Sequence, residues 1–409
     1  MLLVHRVLST RARPILGAAA LLLATLPFTA TPAQADGPGV GAPWVVSVGD
    51  SYISGEAGRW AGSSNSNSAA ADALGGTAYF DNAGNNAEQI DRCHRSKSAQ
   101  VYVGGGVSGL NLACSGATTA TSDGSTFKPG LDFYDNGAGK IGQAKALQQF
   151  ASTHNVRMVN VSIGGNDFNF ASVVQSCVVD FLYSPSWAKD YCNDDSSVKA
   201  NFTAANVAAV KTKVATAYLN VRAAMRSAGY ADSAWTMLVQ NYPSPVPNGS
   251  GFRYGQSGYT RQSTGGCGFW NNDADWANAT ALPTINSTVT GAISQAGITN
   301  ARTLNLASAY NGRRLCEAGV GLYEEVGLSS WTQSTAVDRT EWVNQIRTVT
   351  TAGSSPYYIQ ESLHPNYWGQ LANRSCVRQA YNGGAPRSGT CVRSGNGLTT
   401  LGEPRMALQ

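Results

Sequence analysis

Ser51 stands in Gly49-Asp50-Ser51-Tyr52, directly after the apolar run 44–48. A hydroxyl is a weak nucleophile until a base removes its proton. Wound parallel sheets place their sites beyond the carboxyl ends of strands, and a glycine-sharpened turn there presents a serine hydroxyl. Taken alone, the same serine reads equally well as the N-cap of a following helix. The histidines narrow the choice of base. His5 falls in a basic leader, which leaves His94, His154 and His364. His154, in Thr153-His154-Asn155, reads as a helix C-terminal residue. His94, in Asp91-Arg92-Cys93-His94-Arg95, reads as a loop or packing residue. His364 precedes Pro365, which disfavours helical geometry at the residue before it and suits a base held on a loop. Glu361, three residues earlier, has the chemistry to accept the imidazole Nδ1 proton and fix the tautomer.

Two further segments carry candidate donors. Gly164-Gly165-Asn166-Asp167 follows the apolar run 156–163, so the Asn166 amide can point at a developing oxyanion. In residues 111–118, Gly116 can bring a backbone N–H to the same point. Such donors stabilise a tetrahedral intermediate. Singly, each reads as an ordinary turn residue. Asp50 and Asp167 read as site-shaping residues, and neither a metal nor an organic cofactor is expected.

The elements that position these residues follow an α/β pattern. Runs at 44–48, 109–113, 156–163, 235–240 and 301–306 read as strands. Helical stretches lie at 141–150, 202–228 and 273–296, the last interrupted by Pro283. Strands alternating with helices predict a five-stranded parallel sheet covered on both faces, a three-layer α/β/α, flavodoxin-like architecture. The loops at 59–90 and 243–272 are long, which in a compact domain marks function or disorder.

Residues 1–35 pair an Arg-containing start with an apolar run and end in Ala33-Gln34-Ala35. This reads as a secretory signal peptide, its apolar run being shorter than the roughly 20 residues of a membrane span. Residues 36–42 read as a flexible lead-in, 43–376 as the folded domain and 377–409 as a C-terminal extension. Three of the 29 basic residues and none of the 25 acidic ones fall in 1–35, leaving 26 against 25. That balance argues against nucleic acid as a partner and gives no strong pull toward anionic membranes. Eight cysteines follow the leader, an even number that implies disulfides in an exported protein. Sequence does not settle their connectivity, although sequential pairing closes the shortest loops. A secreted monomer is the default expectation.

In this order and spacing, the Gly-Asp-Ser segment, the Gly116 block, Gly-x-Asn-Asp and the His364 block resemble the SGNH or GDSL hydrolase family. The resemblance spans roughly residues 43–375. It extends to secreted actinobacterial lipase and phospholipase members through Asp91-Arg92-Cys93-His94-Arg95-Ser96 and Asn241-Tyr242-Pro243-Ser244-Pro245. It implies a Ser51 nucleophile, a His364 base and an oxyanion hole from the Ser51 and Gly116 N–H groups and Asn166. It implies Cys93–Cys114, Cys177–Cys192 and Cys267–Cys316 pairs, with Cys376 and Cys391 forming an extra one. The family usually carries Asp where this chain has Glu361, and some members use a backbone carbonyl instead. The implied activity is hydrolysis of fatty-acyl esters, including glycerophospholipids, with at most transient contact with lipid surfaces. The alternatives are a carbohydrate esterase removing acetyl or feruloyl groups and a noncatalytic glycan-binding protein. The aromatics Phe168, Phe170, Phe181, Tyr183, Phe252, Tyr254, Phe269 and Trp270 are expected to shape an acyl groove.

Overall fold

The computed structural model describes residues 38–348 and 356–409, so the expected signal peptide lies outside the described residues. The strands are β1 (Pro43–Gly49), β2 (Ser108–Asn111), β3 (Ser122–Asp123), β4 (Phe127–Lys128), β5 (Asn155–Ser162), β6 (Thr236–Gln240), β7 (Ala301–Asn305), β8 (Gly389–Leu398) and β9 (Pro404–Leu408). The five expected strands lie side by side and parallel in the order β2-β1-β5-β6-β7. The sheet does not stop at five. β8 joins β7 in parallel through Leu304 and Asn305, and β9 pairs antiparallel with β8, giving seven strands. The two short strands β3 and β4 form a separate hairpin.

Side chains alternate across a strand, and here each set meets different helices. Val46, Val48, Val159, Val161, Met237 and Val239 share one apolar cluster. It is closed by Leu147 of α2 (Gln143–Ala151), Val214 and Val221 of α4 (Ala204–Ser227), and Val289 of α5 (Leu282–Ala296). Val45, Met158, Leu238 and Leu304 point the other way. They meet Val173 and Cys177 of α3 (Phe170–Tyr183) and Leu371 and Val377 of α6 (Tyr367–Tyr381). The buried strands therefore read as continuous apolar runs because both faces are covered. Before Pro283 the chain runs as a π-helix over Ala277–Ala281. That local unwinding accommodates a residue that cannot donate in a regular helix.

The eight cysteines form Cys93–Cys114, Cys177–Cys192, Cys267–Cys316 and Cys376–Cys391. The last joins α6 to β8, and Arg378 of α6 pairs with Glu403 beside β9. The C-terminal segment is thus an integral edge of the sheet. Among the described residues no helix is long and apolar enough to cross a membrane.

The strand end that leads into the Ser51 turn is tightly constrained. Gly49 has φ +139°, and a Cβ there would lie 1.8 Å from the Ser162 carbonyl oxygen. Only glycine fits both that dihedral and that approach. Gly49→Ala is expected to cost about 3 kcal/mol or more of folding stability, read by chemical denaturation. A loss under about 1 kcal/mol would contradict the packing described.

Candidate active site

Ser51 opens the four-residue helix α1 (Ser51–Ser54), with Asp50 as its N-cap accepting from Tyr52 N. The turn is clamped from several sides. Asp50 N donates to the Ser162 carbonyl at 2.9 Å, and Gln143 bonds both the N–H and the carbonyl of Gly49. Tyr242 donates to the buried Asp50 carboxylate and accepts from Gly165 N at 3.0 Å. The Asn241-Tyr242-Pro243 segment thereby links the Ser51 turn to the Gly164-Gly165-Asn166 turn.

The Ser51 Oγ lies 2.7 Å from His364 Nε2, and His364 Nδ1 lies 2.9 Å from the Ser362 carbonyl oxygen. A carbonyl only accepts, so this geometry places the proton on Nδ1 and leaves Nε2 free to accept from the serine. Burial lowers the His364 pKa below its ordinary value, although Glu56 pulls the other way. The imidazole is therefore neutral near pH 7, as a general base must be. Its loop is fixed by Leu363 N to the Asn344 carbonyl, Asn344 N to the His364 carbonyl, and Tyr52 Oη to the Leu363 carbonyl.

Glu361 is not where the expectation put it. Its buried carboxylate accepts from Trp60 Nε1 at 2.8 Å, Tyr358 N at 3.1 Å and the Tyr79 hydroxyl. Among the described residues that carboxylate makes no hydrogen bond to His364; only the Glu361 backbone carbonyl does, accepting from His364 N at 3.4 Å. Leu363, at φ +62°, reverses the chain between them, so the three-residue offset carries the carboxylate away from Nδ1. The Ser362 carbonyl takes that place.

The donor segments converge on the serine. Cys114 N bonds the Gly49 carbonyl, and Ser115 N bonds the Cys93 carbonyl across the disulfide. Gly116 follows at φ +79°. Asp167 accepts from Thr119 N and Thr119 Oγ1, tying this loop to the Asn166 turn. Asn166 spends one amide N–H on the Ala117 carbonyl at 2.9 Å, leaving a second. Ser51, Gly116, Asn166 and His364 all line one cleft of about 700 Å³.

Much of the remaining lining is apolar, with Gln175, Arg347 and Thr348 among it. Val174, Val178, Leu182, Leu282, Ile285 and Ile346 supply much of its wall. Of the aromatics expected there, Phe170 and Tyr183 line it, whereas Phe168, Phe181 and Trp270 are buried in packing. Phe252 and Tyr254 instead lie under Arg261 and Arg253. The wall is largely one aliphatic face of α3. Phe170, Val174, Val178 and Leu182 recur at helical spacing on that face, a signal legible in the sequence.

Sequence reasoning also passed over Glu56. It lies fully buried, 2.7 Å from His94 Nδ1, and its other oxygen accepts from Gln360 at 3.0 Å. His94 stacks on Tyr79 with ring centroids 4.1 Å apart and meets Glu88 through Nε2. His154 stacks on Phe150, remote from these groups in the fold.

No protein-family model and no curated protein sequence matches the chain. Solved structures resemble it. A phospholipase A1 from Streptomyces albidoflavus NA297 is 20% identical, with 84% of this chain and 100% of that chain covered, at a TM-score of 0.47. An extracellular lipase from Streptomyces rimosus is 18% identical, with 83% and 98% covered, at a TM-score of 0.41. A family two carbohydrate esterase from Clostridium thermocellum, in complex with cellohexaose, is 12% identical, with 83% and 64% covered, at 0.35.

Burial, partly offset by hydrogen bonds from Tyr242 and Tyr52 N, pushes Asp50 up from 3.8 to about 7. A carboxyl raised on folding binds its proton more tightly when folded. Its stabilising contribution is complete below the unfolded value and is lost as pH rises through the folded value. Wild-type protein should therefore lose more thermal stability between pH 4.5 and pH 7.5 than Asp50→Asn. Equal losses in differential scanning calorimetry would contradict the burial described for Asp50.

Proposed function

We propose that the chain is a secreted serine ester hydrolase of the SGNH type that cleaves fatty-acyl carboxylic esters, glycerophospholipids among them. The observation that carries this reading is the 2.7 Å contact between Ser51 Oγ and His364 Nε2 in the lining of a mostly apolar cleft. The contact supplies a nucleophile with its base, and the cleft suits an acyl chain.

In the proposed cycle, Ser51 Oγ attacks the ester carbonyl as its proton passes to His364 Nε2. The Ser362 carbonyl, on Nδ1, holds the ring in the accepting tautomer. The Ser51 and Gly116 N–H groups and the Asn166 amide receive the oxyanion. Collapse of the tetrahedral species breaks the ester C–O bond, and the alcohol leaves with the proton from His364. Water then gives a proton to His364 and attacks the acyl-enzyme. The acid is released and Ser51 regains its proton. Every proton in this cycle is carried by His364, so no metal or organic cofactor is called for.

The cleft favours acyl chains over sugars. A glycan site needs polar side chains placed along it, whereas Phe170, Val174, Val178, Leu182, Leu282, Ile285 and Ile346 make up much of this lining. Purified protein is expected to release free fatty acid from phosphatidylcholine dispersions, and Ser51→Ala to release none. Hydrolysis of acetylated xylan with phosphatidylcholine left intact would point to the carbohydrate esterase reading. Equal activity in Ser51→Ala and parent would overturn the nucleophile.

Val174→Trp would fill the apolar wall beside Phe170. It is expected to lower kcat/KM for dodecanoyl aryl esters by on the order of tenfold, the scale of a lost apolar contact in a pocket. Acetyl esters should be spared. An equal loss on both would show that acyl chains do not run along α3.

A further inference from the structure

With the Glu361 carboxylate engaged by Trp60, Tyr79 and Tyr358, no carboxylate among the described residues hydrogen-bonds the His364 imidazole. We propose that Glu56 supplies the negative charge that steadies the His364 imidazolium, acting as a positioning residue from behind the histidine loop. This rests on the reading of Ser51 and His364 as nucleophile and base.

The geometry singles out Glu56. Its backbone N–H bonds the Ser51 carbonyl at 3.3 Å, so it belongs to the nucleophile turn. Its Oε2 grips Gln360, four residues before His364. Its Oε1 grips His94, beside the Cys93–Cys114 disulfide that leads into Ser115 and Gly116. One carboxylate therefore ties the nucleophile, base and oxyanion segments together. The nearest polar atoms of Glu56, His94 and Glu361 lie within 4.8 Å of one another. Two glutamates so close and so buried do not both ionise readily.

The surroundings decide which one carries charge. Burial opposes ionisation of Glu56, yet attraction to and hydrogen bonding with His94 outweigh it and hold the carboxyl down at about 2. Burial, then repulsion from Glu56, pushes Glu361 up to about 7. His94 is raised despite its burial because Glu56 pairs with it. The charge thus rests on Glu56, and its attraction reaches His364. The other titratable groups facing Glu56 are His94, Glu88, Glu361, Tyr79 and Lys128. His364 is faced by Glu56 and His94, with the Tyr52 ring 5.2 Å away. The positive charge on His94 offsets Glu56 in part, and Glu56 has the larger effect on His364.

The sign follows directly. Attraction from Glu56 favours protonated His364, so losing it lowers the His364 pKa and disfavours the imidazolium formed during catalysis. Glu56→Gln keeps the side-chain length and a carbonyl acceptor but removes the charge. It should lower kcat on a soluble aryl ester by on the order of tenfold, the equivalent of one pKa unit lost from the imidazolium. KM should hold, and the acid limb of the kcat/KM profile should move to lower pH. Glu361→Gln should leave that limb in place, and Glu56→Asp should restore it. A merely structural role for Glu56 would lower activity without moving the limb. That result in a folded Glu56→Gln protein, checked by its melting curve, would overturn the proposal. If Glu56→Gln does not fold, the Glu361→Gln arm decides: a limb displaced to lower pH assigns the charge to Glu361, and an unmoved limb supports Glu56. Activity surviving in Ser51→Ala would instead sink the nucleophile reading on which the proposal rests.

Discussion

A single hydrogen bond, Ser51 Oγ to His364 Nε2, joins residues 313 positions apart in the chain. Its length leaves little tolerance, since a side-chain hydrogen bond weakens within a few tenths of an ångström. Much of the surrounding architecture serves that tolerance. The parallel strands β1 and β5 fix the height of the Ser51 turn through Gly49 and Ser162. The loop 342–346 and the Tyr52 hydroxyl fix the histidine from the opposite side. Tyr52 is the direct neighbour of Ser51, so Ser51 and His364 are gauged against each other by one side chain.

Buried carboxyls surround this bond, and their environments drive them apart. Asp50 is pushed toward the neutral form while serving as cap and as acceptor for Tyr242. Glu361 is driven the same way among Trp60, Tyr79 and Tyr358. Glu56 alone of these three is held well below its ordinary value. Separating buried acids in this manner is how one site assigns charge to some and structure to others. Glu361 is thus held as scaffold, and the Ser362 carbonyl accepts from His364 Nδ1.

The parts legible in the sequence were those carried by local pattern. The five parallel strands are apolar runs ended by turn residues, and Ser51, Gly116, Asn166 and His364 each sit in a short segment beside such a run or a proline. The seventh-strand edge was not legible because β8, with Arg393, Ser394, Gly395 and Asn396, has the composition of a tail. It becomes a strand by pairing with β7 and β9 and by the Cys376–Cys391 bond. Glu361 misled because spacing along a chain reports proximity only when the dihedrals between are ordinary, and Leu363 is left-handed. Glu56 was hidden for the opposite reason. Its partners, His94 and Gln360, are 38 and 304 residues distant, and no local pattern announces them.

The proposed activation of the Ser51 hydroxyl by His364 is open to test with a fluorophosphonate probe that bonds only to activated serines, the adduct being mapped by peptide mass spectrometry. A single adduct on Ser51, lost in His364→Ala, is the predicted result. Ester-cleaving protein that leaves Ser51 unlabelled, or carries the label on another serine, would contradict it.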